Sequence, residues 1–160
     1  MKRMKRLVLL FLLILVGQPA LGQGELATAT DLAALGQKAK REGKPLVVFF
    51  YQEQCHYCET VRQLYLQPMQ RDGSAAERII LRKIDTRSDA KITNFNGKDV
   101  RQQGFAHREK KTFTPTIAFY GPNGERLTRS LVGLKGGRDY YGHYLEKGIS
   151  EAEAALKEML

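Results

Sequence analysis

Of 160 residues none is tryptophan, two are cysteine and three are histidine. These scarcities exclude several chemistries. A zinc centre built on the two thiols needs two more ligands, and His56, His107 and His143 lack the spacing of a finger. Covalent haem attachment needs a histidine directly after the second cysteine, where Glu59 stands. His107, in a polar run, and His143, in "YYGHY", read as surface or packing residues. Tyr140, Tyr141 and Tyr144, at helical spacing, read as core. Basic residues are mixed with acids, as in "REGK" and "HREKK", so there is no stripe for a nucleic acid to follow.

Long apolar runs are lacking too. The longest, Leu7–Val16, has ten residues; it follows the basic "MKRMKR" and precedes a small-x-small site at Ala20-Leu21-Gly22, the pattern of a secretory signal. Ten helical residues span about 15 Å, half of a bilayer's hydrocarbon core, which favours a cleaved signal over a retained anchor or a mitochondrial-type presequence. No cysteine lies near the site, so a lipid-modified terminus is excluded. The expectation is a signal peptide over 1–22, cleaved near Gly22/Gln23, and a single domain over 23–160 that leaves the cytoplasm. The formal charge of +9 includes Lys2, Arg3, Lys5 and Arg6, which leaves +5 on that domain. Its length suffices for one core and not for two.

What is present is an alternation of helices and strands. "TATDLAALGQKAKREG" predicts a helix capped by Thr28 or Asp31 and ended by Gly43. "PLVVFFY" (45–51) reads as a strand buried on both faces, and "RIILRKID" (78–85) as a second. A helix is expected from 56 to about 67, where Pro68 kinks or stops it. "ITNFNGKDV" carries an Asn96-Gly97 hairpin signal, and roughly 99–111 is expected to be helical. "TIAFY" (116–120) and "RLTRSLV" (126–132), joined by "GPNGE", form a strand pair. Two helices close the chain, the second opened by a Ser150/Glu153 capping box. The order gives an α/β domain with one sheet covered by helices on both faces.

Both cysteines fall within "YQEQCHYCETV" (51–61). Cys55 stands where a buried strand hands over to a helix, so unpaired N–H groups and the positive end of the helix dipole favour its thiolate. Cys58, one turn further in, is close enough to bridge to it. An exposed first thiol and a shielded second one suit a nucleophile and a resolver. A protonated His56 adds positive charge beside Cys55, and Tyr57 stands at the rim. As a structural staple the pair closes too small a loop to constrain the chain.

Strand, Cys-x-x-Cys, helix and, much later, Thr114-Pro115-Thr116 opening a strand pair together resemble the thioredoxin superfamily. The nearer likeness is to small exported thioredoxin-like proteins of the SoxW type. It rests on the hairpin insert with its Asn-Gly turn, the "TPT" loop, the "PNG" turn and Val132-Gly133, and it covers about 35–148. The resemblance implies a thioredoxin fold, with a central mixed sheet of about four strands and helices on both faces. It also implies a cis Pro115 lying against the cysteines, with Thr114 pairing with substrate backbone. The chain departs from the family pattern at Gln54, where tryptophan is usual, and at His56-Tyr57, where Gly-Pro is usual. Phe49 replaces the buried acid six residues before Cys55, for which Glu59 could substitute. Phe113 replaces a glycine and reshapes the substrate groove.

The function this implies is periplasmic thiol–disulfide exchange, most naturally reduction of client proteins that carry disulfides. The monomeric chain would be recharged by a membrane electron donor of the DsbD or CcdA type. Catalysis is expected from Cys55 and Cys58, redox tuning from His56, Tyr57 and Glu59, and substrate binding from Phe113, Thr114 and Pro115. The redox-active Cys55–Cys58 disulfide takes the place of a cofactor, and no metal or nucleic acid is expected. Two other readings remain: a copper chaperone using the two thiols and a histidine, and a non-catalytic interaction module.

Overall fold

The computed structural model describes residues 24–160, so the expected signal peptide lies outside the described residues. Helix α1 (Leu32–Glu42) starts at Asp31, whose carboxylate accepts the Ala34 N–H at 2.8 Å, and ends at Gly43 with φ 63°. Asp31 is therefore the cap, and Thr28 serves elsewhere. It bridges Lys83 in parallel fashion, so the segment before α1 runs along the sheet edge.

Strand β1 (Leu46–Tyr51) pairs in parallel with β2 (Ile80–Asp85) and antiparallel with β5 (Thr116–Tyr120), which pairs with β6 (Leu131–Val132). The order β2-β1-β5-β6 is a mixed four-stranded sheet. Alternation along β1 sends its side chains into two separate cores. Val47 and Phe49 join Cys58, Val61, Leu66, Tyr141 and Leu145 on one face; Leu46, Val48 and Phe50 join Leu32, Ile84 and Phe105 on the other. Each fully buried large apolar side chain contributes roughly 1.5–3 kcal/mol, which is why this strand has no polar position before its last residue.

Between β1 and β2 the chain forms α2 (His56–Val61), a π-helical segment (Arg62–Leu66), α3 (Gln67–Arg71) and the short α4 (Ser74–Arg78). Pro68 does not stop the helix. The wide turn, with the Gln67 N–H bonded to the Arg62 carbonyl, resets the register before the proline. Pro68 then falls in the first turn of α3, where its missing N–H is not needed. The expected second strand is shorter at its start, since Arg78 belongs to α4.

The hairpin β3 (Lys91–Thr93) and β4 (Asp99–Arg101) turns at Gly97 with φ 73°, as the Asn-Gly signal predicts. β4 claims the beginning of the segment expected to be helical, and α5 spans only Gln102–Arg108. In the expected strand 126–132 only Leu131 and Val132 extend β5 as a strand; the ladder lapses where Thr128 turns its hydroxyl to Glu151 at 2.6 Å.

A single helix, α6 (Gly137–Met159), replaces the two expected at the end of the chain. Gly148 is not a stop signal. A Cβ there would lie 2.6 Å from Cζ of Phe119, so glycine lets the helix approach the sheet. The expected capping pair is engaged otherwise: Arg78 reaches Glu153 at 2.5 Å and Ser150 at 3.2 Å. Of the three tyrosines read as core, Tyr141 is buried against Tyr65, Tyr144 is half-buried and Tyr140 is exposed. No helix among the described residues is long and apolar enough to cross a membrane.

Candidate active site

Strand β1 ends at Tyr51, and three residues carry the chain to Cys55. Gln54 adopts φ 58°, a left-handed conformation that a non-glycine residue takes only when its surroundings impose it. Cys55 is the N-cap of α2 (φ −98°, ψ 102°), and its Sγ accepts the Cys58 N–H at 3.1 Å. The sulfur thus stands where α2 presents its unpaired donors. Cys55 and Cys58 are joined as a disulfide. Cys55 is half-buried, whereas Cys58 is 4% exposed and belongs to the core under α2.

The loop before β5 faces this bridge. Thr114–Pro115 is a cis peptide, and the Thr114 hydroxyl lies 3.7 Å from Sγ of Cys55. The loop is fixed on both sides: the Thr116 hydroxyl donates to the Phe113 carbonyl at 2.7 Å, and the Gly133 N–H donates to the Pro115 carbonyl at 2.8 Å. Phe113 is 66% exposed and its ring passes beside Gly133. Thr114 is thus brought to Cys55 across 59 residues of sequence, with Phe113 and Pro115 as its neighbours in the loop.

His56 and Tyr57 are both exposed at the start of α2, with ring centroids 5.8 Å apart. Glu59 is engaged by Arg62, whose Nε donates to it at 3.0 Å, and by Gln63. The Arg62 hydrogen bond holds the Glu59 carboxyl below its ordinary range. His107 and His143 are exposed. Among the described residues no three His, Cys, Asp or Glu side chains gather as a metal site.

A cavity of about 390 Å³ adjoins the bridge, lined by Cys55, Cys58 and also by Tyr51, Glu53, Arg62 and Lys83. Burial raises the Tyr51 phenol, with Asp85, Glu53 and Glu25 adding to it. Lys83 was not among the residues the sequence pointed to. The available signal was alternation: in "RIILRKID" it falls in phase with Leu81, on the face that packs under α2.

Comparison with known proteins agrees with this geometry. The family model of the thioredoxin-like domain matches residues 34–148, and the chain belongs to that family. Among solved structures it is similar to the DsbH oxidoreductase, at 18% identity and TM-score 0.58 over 84% of this chain and 92% of that one. It is similar to Fasciola hepatica thioredoxin, at 16% identity and TM-score 0.52 over 79% of this chain and 99% of that one. It also resembles oxidised mitochondrial thioredoxin 3 of Saccharomyces cerevisiae, at 21% identity and TM-score 0.51 over 79% and 94% of the two chains. No curated protein matches at a significant level. The domain is a thioredoxin fold, and with its Cys55–Cys58 pair it supports thiol–disulfide oxidoreductase chemistry in general.

Proposed function

We propose that this chain is an exported thiol–disulfide oxidoreductase that reduces disulfides in periplasmic client proteins. The asymmetry of the pair carries the reading. Cys55 is accessible at a helix N-terminus, Cys58 is buried behind it, and Thr114 stands beside the accessible sulfur. In the reduced protein the Cys55 thiolate attacks one sulfur of a client disulfide, and the other client sulfur leaves as a thiolate. Cys58 then attacks Cys55, the mixed disulfide breaks, and the client departs with two electrons from the pair. The Cys55–Cys58 bridge so formed is reduced again by a dithiol donor, for which a membrane carrier of the DsbD or CcdA type is the proposed source. Phe113 and Thr114 line the side from which a client chain approaches.

Insulin reduction with dithiothreitol as the donor tests the chemistry. Turnover above the uncatalysed rate that is abolished by Cys55→Ser supports it; no turnover by the folded, reduced protein overturns it. The location is tested by N-terminal sequencing of protein from a periplasmic extract, where a start near Gln23 is expected. A chain that keeps residues 1–22 and stays in the cytoplasm would refute export.

A further inference from the structure

Resolution of a mixed disulfide requires Cys58 as a thiolate, yet Cys58 lies among Val47, Phe49, Val61 and Leu66, surroundings that disfavour the charged form. The groups facing its cavity decide how far that is offset. Tyr51 comes from the end of β1, Glu53 from the loop after it, His56 and Glu59 from α2, Arg62 from the turn that follows, and Lys83 from β2. Arg62 is engaged by Glu59. Glu53 and His56 are exposed.

Lys83 differs from all of these. The β1–β2 register sets it beside Phe49, on the face of the sheet that Cys58 packs against. Its side chain is only 16% exposed, and its ammonium sits 5.6 Å from the centroid of the Tyr51 ring. Its ion-pair partner is Glu25, at 3.2 Å, whose side chain is 79% exposed. Water screens so exposed a carboxylate, so it offsets only part of the charge Lys83 directs into the cavity.

We propose that Lys83 is the positioning residue for the second half of the reaction, its ammonium stabilising the Cys58 thiolate that resolves the mixed disulfide. The inference rests on the oxidoreductase reading above. The Cys58 proton passes to water in the cavity, and the thiolate attacks Sγ of Cys55. The Cys55–client bond breaks as the Cys55–Cys58 bond forms, and the client thiolate takes the electron pair and then a proton from solvent. Glu25, on the segment that bridges β2, moderates the charge of Lys83.

The test separates charge from structure. In the full chain carrying Cys55→Ser, the thiolate absorbance of Cys58 is titrated. Lys83→Met raises the Cys58 pKa by about one unit, Lys83→Arg leaves it near its starting value, and Glu25→Gln lowers it. With both cysteines present, reduced protein is mixed with Ellman's disulfide and the second thionitrobenzoate released is timed. At neutral pH Lys83→Met slows that release about threefold, a tenfold loss of thiolate being partly offset by the greater nucleophilicity of a more basic thiol. Lys83→Gln serves if Met loosens the fold. A Cys58 pKa unmoved by both neutral substitutions overturns the proposal, as does Lys83→Arg behaving like Lys83→Met. Failure of the unaltered chain to reduce insulin would instead count against the oxidoreductase reading and leave the titration interpretable.

Discussion

The backbone N–H of Cys58 points at Sγ of Cys55 from 3.1 Å, so the second cysteine supplies a helix N-terminal donor to the first. On reduction this donor favours a thiolate at Cys55 over a thiol, because a hydrogen bond to a charged acceptor is stronger than one to a neutral sulfur. The two positions are therefore unequal before any substrate arrives.

That inequality predicts a trapping pattern. Cys58→Ser should accumulate mixed disulfides with clients through Cys55, because the accessible nucleophile remains while its resolver is lost. Cys55→Ser should trap almost none, since Cys58 is buried. Non-reducing gels of the two variants read the difference, and equal trapping would reverse the assignment.

Thr114 offers the Cys55 sulfur a side-chain donor at 3.7 Å. Thr114→Val keeps the shape and removes the hydroxyl, so the Cys55 thiolate loses a weak hydrogen bond. Its pKa should rise by about half a unit, followed by thiolate absorbance. An unchanged value would show that the hydroxyl serves the client instead.

The layers and the site's centre were legible because they rest on local chemistry. Seven residues of "PLVVFFY" without a charge can only be buried on both sides, and a Cys-x-x-Cys after such a strand lands at a helix N-terminus. What could not be read depends on tertiary partners. Gly148 looks like a helix end until Phe119 is found against it, and Ser150 and Glu153 look like a cap until Arg78 arrives from 72 and 75 residues away. Lys83 lies between the two: alternation puts it in phase with Leu81, but its place beside Phe49 depends on the pairing of β1 with β2.

Two helical glycines should respond to alanine with opposite signs. A Cβ on Gly36 would fall 1.9 Å from the backbone oxygen of Pro122, which cannot rotate away. Gly36→Ala should lose about 1–3 kcal/mol or more as α1 is pushed off the turn after β5. At Gly104 in α5 the added carbon meets only the end of the Arg108 side chain, at 3.7 Å. Gly104→Ala should gain roughly 0.4–1 kcal/mol by restricting the unfolded chain. Urea unfolding at constant m measures both, and a stable Gly36→Ala protein would contradict the observed approach.

Glu59 separates a surface ion pair from a redox role. Its hydrogen bond to Arg62 lowers the carboxyl pKa, so its contribution to stability is present above the unfolded value of about 4.3 and fades as pH falls through the lower folded value. The pair is partly exposed, and its worth is about 0–1 kcal/mol. Glu59→Gln should therefore cost a little stability at neutral pH, and the difference should vanish in acid. Its insulin reduction should match that of the parent. A large loss of activity in a folded Glu59→Gln protein would instead make Glu59 the proton acceptor for Cys58.

His56 is the residue by which this motif most differs from a Gly-Pro version. It opens α2 directly after Cys55, exposed, with its ring tilted against Tyr57 and 5.8 Å from it. An imidazole there adds a donor or a partial positive charge near the sulfur, and either favours the thiolate, a species found only in the reduced state. Stabilising the reduced form raises the reduction potential. A change of one pKa unit in Cys55 corresponds to about 1.4 kcal/mol, and for a two-electron couple that amounts to roughly 30 mV. Exposure to water limits the effect, so about 30 mV is an upper bound. His56→Gly should raise the Cys55 pKa and lower the potential together, the first by thiolate absorbance and the second by equilibration with glutathione. If the two quantities do not move in concert, the imidazole acts on the helix and not on the sulfur; if neither moves, His56 belongs to the client surface with Tyr57.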